Sequence, residues 1–388
     1  MTILLYIALV YLLLTLAILY RNRSDFEPLK SPSHSYFNDE APGVSICIPA
    51  RNEESSIERC VRSAISQEYP NHKVYVLDDE STDGTAEILK SLSGAYPDKL
   101  TILTGKKKPE GWLGKSWACH QLSQVATGDI LVFIDADTWL DQQTIARLLR
   151  TMGHDVIDFA TIWPEQNLGT FWEKMAIPLV YFALLTLLPV RYVYRAPKWL
   201  PPFLREKVSP LFAAACGQFM AFKRETYEAI GGHASVKDKV VEDVALAKNI
   251  KRAGYSMNMY YGKATVNCRM YSSRSELWEG FRKNFLAGFG YNIPFFFAMG
   301  LLHFLTFVLP VIALPFLIPT ANPKVLIMDL TALGLMLVQR MMINRWFNWN
   351  ILYSLLHPLG VCWYESLGVR VLLDYVTNES TSWKQRKI

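Results

Sequence analysis

Charged residues are scarce in this chain, and neither sign of charge dominates. They make up 19% of the 388 residues, against 51% for hydrophobic residues, and the net charge is +5. So small a positive excess argues against a nucleic-acid-binding protein, but it suits contact with a membrane surface or a phosphate-bearing ligand. The composition therefore predicts a protein that is associated with a membrane without being wholly embedded in it.

Cysteine is also scarce, and its spacing lacks the pattern of a metal or disulfide framework. None of the six cysteines forms a C-x-x-C pair, and several lie in apolar surroundings. We therefore expect reduced, structural cysteines that face the cytosol. They are Cys47, Cys60, Cys119, Cys216, Cys268 and Cys362.

The N-terminal apolar run lacks the features of a cleaved signal peptide. Residues Thr2 to Tyr20 are almost all apolar, and the basic residues Arg21 and Arg23 follow the run instead of preceding it. About 20 apolar residues span a bilayer, and no small-residue cleavage site precedes a domain. We expect an uncleaved anchor over residues 1–21, with the N-terminus outside. A polar linker, residues 22–42, then lies in the cytoplasm.

Residues 43–290 alternate between short apolar runs and helical patterns. Strands that alternate with helices at this spacing predict an α/β domain with a mostly parallel sheet of Rossmann type. The predicted strands are Val44 to Ile48, Lys73 to Leu77, Leu100 to Leu103, Ile130 to Ile134, Val156 to Ile162, Gly217 to Phe222, Met257 to Tyr261 and Thr265 to Met270.

Four groups of polar residues follow these strands or the loops after them. Because the carboxyl ends of parallel strands meet at one crevice of a doubly wound sheet, the four groups should lie together there. Each group alone could equally serve to cap a helix, but capping does not account for all four at once. The groups are the turn Pro49-Ala50-Arg51-Asn52-Glu53-Glu54, the pair Asp78-Asp79, Lys115 after Gly114, and Asp135 with Asp137.

The pair Asp135 and Asp137 directly follows a wholly apolar strand. Two carboxylates one residue apart can reach a single divalent cation if a turn follows the strand. Hard oxygen ligands suit Mg²⁺ or Mn²⁺, so we expect this pair to hold one of these two ions. The alternative interpretation is a helix N-terminus, where acidic residues are common.

Taken in order, these stretches resemble the membrane-bound family 2 glycosyltransferases of the GT-A fold, over about residues 43–290. Within that family, the terminal apolar segments and the G-K-S-x-A-C stretch are most similar to transferases that act on carotenoid acids and to hopanoid-associated members. The matching stretches are P-A-R-N-E-E, D-D-E-S-T-D-G-T at Asp78 to Thr85, G-K-S-W-A-C at Gly114 to Cys119, D-A-D at Asp135 to Asp137, E-D at Glu242 to Asp243 and R-M-Y at Arg269 to Tyr271.

The resemblance implies a role for each matching residue. Asp135 and Asp137 form the D-x-D pair on the metal, and Asp243 is the general base that takes a proton from the acceptor. Negative charge on the departing diphosphate is stabilised by the metal and by Arg269. Without the resemblance, Asp243 could simply favour a helix N-terminus and Arg269 could pair with a neighbouring acid. The other implied contacts are to the UDP-sugar: Pro49, Ala50, Arg51 and Glu53 line the uracil and ribose pocket, Asp79 contacts uridine, and Lys115 contacts the nucleotide.

The resemblance predicts an inverting, metal-dependent enzyme that moves a hexose from a UDP-sugar, UDP-glucose foremost, to an apolar lipid such as a carotenoid acid. Processive synthases of this family carry Q-x-x-R-W, but Val266 stands three residues before Arg269, where they have glutamine. This departure favours transfer of a single sugar. Two alternatives remain: a transferase for polyprenyl phosphate, glycolipid or exopolysaccharide, and a non-catalytic membrane protein that binds nucleotide sugars.

Further apolar segments predict a multi-pass protein of the cell membrane with a cytoplasmic catalytic domain. An interfacial segment is expected at about residues 172–205, because its apolar part, Ile177 to Val190, is too short to span comfortably. The C-terminal membrane segments, residues 291–375, begin with the runs Pro294 to Ile318 and Val325 to Val338. We expect a third run, Ile351 to Tyr375, to form a hairpin or to lie at the interface, with the basic tail 376–388 in the cytoplasm.

Overall fold

The structure, a computed structural model, describes residues 1–31, 41–320, 322–377, 379, 382–383 and 386–387. Its chain divides into two compact units. The sheet unit comprises residues 26–167 and 190–270, and the helical unit comprises residues 1–25, 168–189 and 271–388. Residues 32–40 of the predicted linker and part of the predicted basic tail lie outside the described residues.

A seven-stranded sheet forms the centre of the sheet unit, in the order β3-β2-β1-β4-β8-β6-β9. Strands β1 to β4 pair in parallel, as do β6 and β9, whereas β8 runs antiparallel to both of its neighbours. The predicted α/β class with a mostly parallel sheet is confirmed. The strands of this sheet and of a second, smaller sheet (order β5-β10-β7) are β1 Val44–Ala50, β2 His72–Asp78, β3 Leu100–Thr104, β4 Ile130–Ile134, β5 Thr138–Leu140, β6 Phe159–Trp163, β7 Glu165–Gln166, β8 Phe219–Lys223, β9 Met257–Tyr261 and β10 Val266–Cys268.

Strand β4 shows why an uninterrupted apolar run takes a central position. All five of its residues are buried, which fits a strand that is covered on both faces. Gly128 lets the chain enter β4 close to β1, because a Cβ there would lie 2.7 Å from the carbonyl oxygen of Gly43 and the amide nitrogen of Ser45. This close approach fixes the start of β4 and therefore the place where Asp135 emerges.

Helices surround the sheet and make up most of the helical unit. Helix α2 buries one of its faces. The buried residues on this face are Ile57, Val61, Ala64 and Ile65, whose spacing is that of a single helix face. The α-helices are α1 Thr2–Asp25, α2 Ile57–Ile65, α3 Thr85–Ala95, α4 Gly114–Val125, α5 Thr144–Asp155, α6 Phe171–Leu187, α7 Arg191–Tyr194, α8 Pro202–Val208, α9 Arg224–Ala229, α10 Glu242–Arg252, α11 Arg274–Gly288, α12 Ile293–His303, α13 Leu309–Leu317, α14 Pro323–Trp346 and α15 His357–Thr377. Short 3-10 segments are Ser209–Phe212, Gly232–Val236, Ile318–Thr320 and Ile351–Leu356, and Phe304–Val308 is a π-helical turn.

Among the described residues, three helical stretches are long and apolar enough to cross a membrane: Thr2–Asp25, Ile293–Leu317 and Pro323–Trp346. The apolar helices expected near both termini are therefore present. In the helical unit, Asn22 near the end of α1 donates hydrogen bonds of 2.8 Å to the carbonyl groups of Leu185 and Leu188. These bonds satisfy acceptors that the end of α6 leaves without a helical partner.

Two apolar segments differ from their predicted form. The third C-terminal run is not a hairpin, because α15 is one continuous helix from His357 to Thr377 after a 3-10 turn. Helix α6 starts at Phe171, earlier than the apolar run suggested, because Thr170 and Glu173 form a capping box. The interfacial placement of residues 172–205 stays a prediction.

Candidate functional site

The loops after β1 and β2 interlock at one edge of the sheet. The Asp79 N–H donates to the Ala50 carbonyl at 2.8 Å, and the Arg51 guanidinium donates to the carbonyl groups of Asp79 and Glu80. Pro49 lies opposite Leu77 in the β1–β2 register. The predicted nucleotide-binding residues of these loops are therefore adjacent, and Arg51 joins one loop to the other.

Glu53 continues the same interlocked region. Its N–H donates to Thr85 Oγ1 at 2.8 Å, and its carboxylate accepts a hydrogen bond of 3.1 Å from Ser56. Asn52 and Glu80 occupy the left-handed region, with φ of 51° and 57°. Non-glycine residues adopt this conformation at a cost, which the surrounding hydrogen bonds offset.

A turn after β4 carries Asp135 and Asp137, as the sequence predicted. The Asp135 carbonyl accepts from the Thr138 N–H at 3.0 Å, and β5 begins at Thr138. One Asp137 carboxylate oxygen accepts from Thr138 Oγ1 at 3.3 Å and from the Cys268 thiol at 3.5 Å. The Arg269 N–H donates to the Asp137 carbonyl at 3.3 Å, so the R-M-Y stretch begins directly beside the acidic turn.

Cys60 on α2 connects this acidic turn with the first loop. Its thiol donates to the Asp135 carbonyl at 3.6 Å. Burial raises its pKa well above the usual range, and the negative charges of Asp137, Glu53 and Asp135 raise it further. Three of the predicted site carboxylates therefore lie close enough for their charges to act on one thiol.

Lys115 links the acidic turn to the E-D pair that opens α10. Its Nζ lies 2.7 Å from Asp135 Oδ1, 3.0 Å from Glu242 Oε1 and 3.4 Å from the Gly217 carbonyl oxygen. Burial alone would lower the pKa of Lys115, but the carboxylates of Asp135 and Glu242 outweigh burial and hold it well above its usual value. In this structure, then, the lysine predicted to contact the nucleotide bridges two carboxylates.

Gly217 is the point where these groups converge. A Cβ at this position would lie 2.9 Å from Lys115 Nζ, 3.4 Å from Asp243 Oδ2 and 3.5 Å from Glu242 Oε1. The absence of a side chain therefore makes room for the lysine and both acids. The Gly217 N–H also donates to Asp243 Oδ2 at 2.8 Å.

Asp243 has the environment of a carboxyl group that titrates near neutral pH. Burial raises its pKa to about 7, and the charge of the adjacent Glu242 adds to the rise, while Lys115 opposes it. The N–H groups of Gly217 and Val244 hold the two oxygens of Asp243 at 2.8 and 2.7 Å. Glu242 behaves oppositely: burial disfavours its charge, but Lys115 prevails and lowers its pKa.

A series of buried, hydrogen-bonded side chains next to Asp137 was not predicted from the sequence. Gln218 Nε2 donates to the sulfur of Cys268 at 3.0 Å, and Gln166 Nε2 donates to Gln218 Oε1 at 2.9 Å. The Cys268 thiol then donates to Asp137, and all three of these side chains are at most 5% exposed. In the sequence, Gln218 had no role beyond the predicted strand Gly217 to Phe222, because its contact with Cys268 depends on how the chain packs around β10.

The acidic turn has a donor set that fits Mg²⁺ or Mn²⁺. It offers two carboxylates, which are hard ligands, and within the described residues no group of three or more His, Cys, Asp or Glu side chains could complete a metal site. Proteins commonly bind Mg²⁺ through one or two carboxylates together with substrate phosphates and water. Asp135 and Asp137 are the residues that would hold the ion.

The chain is similar in sequence to known glycosyltransferases. Residues 45–231 match the family profile "Glycosyl transferase family 2", and residues 207–387 match "Glycosyl transferase family 21". The chain is 25% identical to the 4,4'-diaponeurosporenoate glycosyltransferase of Staphylococcus haemolyticus over 248 residues, and 29% identical to that of Staphylococcus aureus over 263 residues. These alignments cover 63% and 66% of this chain but only 61% and 64% of the relatives, so the chain spans less than two thirds of their length.

A solved structure shares the fold over nearly the whole chain. It is the mannosyltransferase PcManGT from Pyrobaculum calidifontis in complex with GDP-Man and Mn²⁺, with a TM-score of 0.57, 18% identity, and coverage of 97% of this chain and 99% of that one. At this identity the likeness bears on the fold alone. Residues 45–231 are therefore similar to the family 2 glycosyltransferases, the relatives are named glycosyltransferases, and the fold is GT-A-like.

Proposed function

We propose that this protein transfers one hexose from a UDP-sugar, UDP-glucose foremost, to an apolar lipid, with inversion at the anomeric carbon. The observation that carries the proposal is the cluster around Lys115, which joins Asp135 of the acidic turn to Glu242, the residue before the candidate base Asp243. A donor diphosphate at the acidic turn would therefore lie beside a group that can take a proton from an acceptor.

Asp243 would act as the base. Its pKa of about 7 is close to the operating pH, the condition under which a general base is most effective. The backbone N–H groups of Gly217 and Val244 hold its carboxylate in one orientation. Attack of the acceptor oxygen from the side opposite the departing diphosphate then inverts the anomeric centre.

The remaining site residues would bind and orient the donor. Pro49, Ala50, Arg51, Glu53 and Asp79 form the interlocked loops on which we place uracil and ribose, and Lys115 and Arg269 would face the diphosphate. Bound Mg²⁺ or Mn²⁺ would supply positive charge that stabilises the diphosphate as it leaves.

The acceptor and the membrane arrangement extend the proposal. The relatives are named for 4,4'-diaponeurosporenoate, a carotenoid acid, and we propose an acceptor of that class. The three apolar helices would make this a multi-pass protein of the cell membrane, with the sheet unit in the cytoplasm. A polyprenyl-phosphate or glycan acceptor and a purely binding function remain the alternatives that the test separates.

The proposal is tested with the purified full chain, Mn²⁺, labelled UDP-glucose and a carotenoid-acid acceptor. We expect one labelled hexose per lipid from the wild type, no labelled product from Asp135→Ala, and full activity from the control Asp98→Ala, an exposed acid remote from the acidic turn. Donor binding without transfer to any lipid would support the binding function instead. Several sugars per lipid would support a polymerising synthase.

A further inference from the structure

The helical unit contains a buried arginine whose charge has no ion-pair partner within the part of the chain that the structure describes. Arg340 on α14 is fully buried, and its Nε donates to Asn344 Oδ1 at 3.1 Å. Its two terminal nitrogens, Nη1 and Nη2, have no hydrogen-bond partner among the residues that the structure describes. An arginine does not lose its proton in proteins, and a buried charge is costly unless it is paired. A bound anion beside Arg340 would compensate this charge.

A second set of nitrogens lies beside this arginine. His357, the first residue of α15, is also fully buried, and both ring nitrogens are without a partner in the described part of the chain. Arg340 and His303 lie close enough for their charges to act on this ring. The rings of Phe182 and Phe307 pack on His357 at centroid distances of 4.6 Å each. The nitrogen atoms of Arg340 and His357 therefore lie close together in an environment that includes aromatic rings.

None of the carboxylates that the structure describes forms a hydrogen bond with the terminal nitrogens of this arginine. Asp329 lies eleven residues earlier on α14, about 16 Å away along the axis. Asp374 is bound to Arg282 at 2.6 Å and Arg370 at 2.8 Å. Since no described carboxylate is bonded to Arg340, a bound ligand could supply the missing negative charge.

An apolar groove is linked to the same cluster through Tyr11, one of the residues that line it. It has a volume of about 390 Å³ and is lined by α1 and by Leu302 of α12. Tyr11, one of the lining residues, binds the Nε2 atom of His303 with its hydroxyl group at 2.8 Å, and His303 neighbours His357. A ligand with an apolar chain and an anionic end would match both the groove and the cluster.

We propose that Arg340 and His357 bind the anionic headgroup, a phosphate or carboxylate, of a membrane lipid, whose apolar chain lies in the groove lined by Tyr11. The proposal rests on the membrane insertion proposed above, but not on the transferase activity. The tests below measure lipid binding directly. Their results can therefore be interpreted even if the protein transfers no sugar.

The test uses the full chain in a neutral detergent and follows its melting temperature. Phosphatidylglycerol should raise the melting temperature of the wild type by about 4 °C or more, and phosphatidylcholine should not. Arg340→Met should lose this lipid-dependent rise, without melting lower than the wild type when lipid is absent, because it removes an uncompensated buried charge. The control Arg345→Met, an exposed arginine on the same helix, should keep the rise.

Native mass spectrometry of the wild type gives a readout that does not depend on the folding of Arg340→Met. Phosphatidylglycerol should remain bound at least about tenfold more than phosphatidylcholine, and His357→Phe should reduce that preference. Equal retention of the two lipids, or an unchanged rise in Arg340→Met, would overturn the proposal. A rise with inorganic phosphate but not with phosphatidylglycerol would overturn the assignment to a lipid.

Discussion

The ionisation of Asp243 reflects competition between its two charged neighbours. Glu242 disfavours the negative charge on Asp243, and Lys115 favours it, with burial setting the overall direction upward. A base is active when it is deprotonated, so activity should follow the ionised fraction of Asp243. The residue-scale expectation is a rate that increases with pH up to a plateau.

We predict that kcat/KM for a hydroxyl-bearing lipid rises with pH, with a midpoint near 7, as Asp243 loses its proton. Glu242→Gln removes the repelling charge and should move the midpoint down, whereas Lys115→Met removes the attracting charge and should move it up. The measurement is the pH profile of kcat/KM for the three proteins. Midpoints that move together, or not at all, would exclude Asp243 as the titrating group.

The chemical class of the acceptor decides how much Asp243 matters. A carboxylic acid is already ionised near pH 7 and needs no base, whereas an alcohol does. Asp243→Asn should therefore cost about 10²–10⁴-fold in kcat with a hydroxyl acceptor and far less with a carotenoid acid. The two acceptors are compared on the same enzyme preparation. A fully active variant with the alcohol would show that another group takes the proton.

Cys268 is predicted to position Asp137 through the thiol that donates to its carboxylate. Cys268→Ala should weaken Mn²⁺ binding in the presence of UDP by about tenfold. This is the lower end of the loss in affinity that follows removal of a residue hydrogen-bonded to a metal ligand. Cys268→Ser keeps a donor and should bind close to the wild type. Isothermal titration with Mn²⁺ reports the affinities, and equal affinities for the alanine and serine variants would remove this role.

At the scale of elements, the strands were predictable because burial on both faces leaves an apolar run with clear ends. Val44, Ile130 and Met257 begin strands at their predicted positions. For the third C-terminal run, the hairpin alternative was wrong, because Pro358 does not break the helix. Proline is tolerated in the first turn of a helix, where no N–H is required, and α15 starts only one residue earlier.

Two glycines allow an element-scale test of the packing that positions Asp135. Gly128→Ala would push a Cβ against the backbone of Gly43 and Ser45 and should lower the free energy of unfolding by about 1–3 kcal/mol. Gly94 in α3 has nothing within 4 Å of such a Cβ, so Gly94→Ala should leave stability unchanged or raise it by up to about 1 kcal/mol. Urea unfolding measures both. Similar effects at the two positions would contradict the tight entry into β4.

At the scale of the whole molecule, the sequence predicted the positions of the candidate site residues better than the contacts between them. Strand ends predict where Asp79 and Asp135 emerge, since the topology of a parallel sheet brings such ends together. The bridge from Lys115 to Glu242, 127 positions later, could not be predicted, because it depends on how α4 and α10 pack. The contact of the buried Gln218 amide with Cys268 could not be predicted for the same reason.

The most direct test of the account is mass spectrometry of lipids from cells that express the chain or its Asp135→Ala variant. The account predicts an apolar lipid that gains the mass of one hexose with the wild type and with the control Asp98→Ala, and that stays unmodified with Asp135→Ala. A lipid that gains a hexose equally in all three, or no new glycolipid in any of them, would contradict the claim that this acidic turn serves lipid glycosylation.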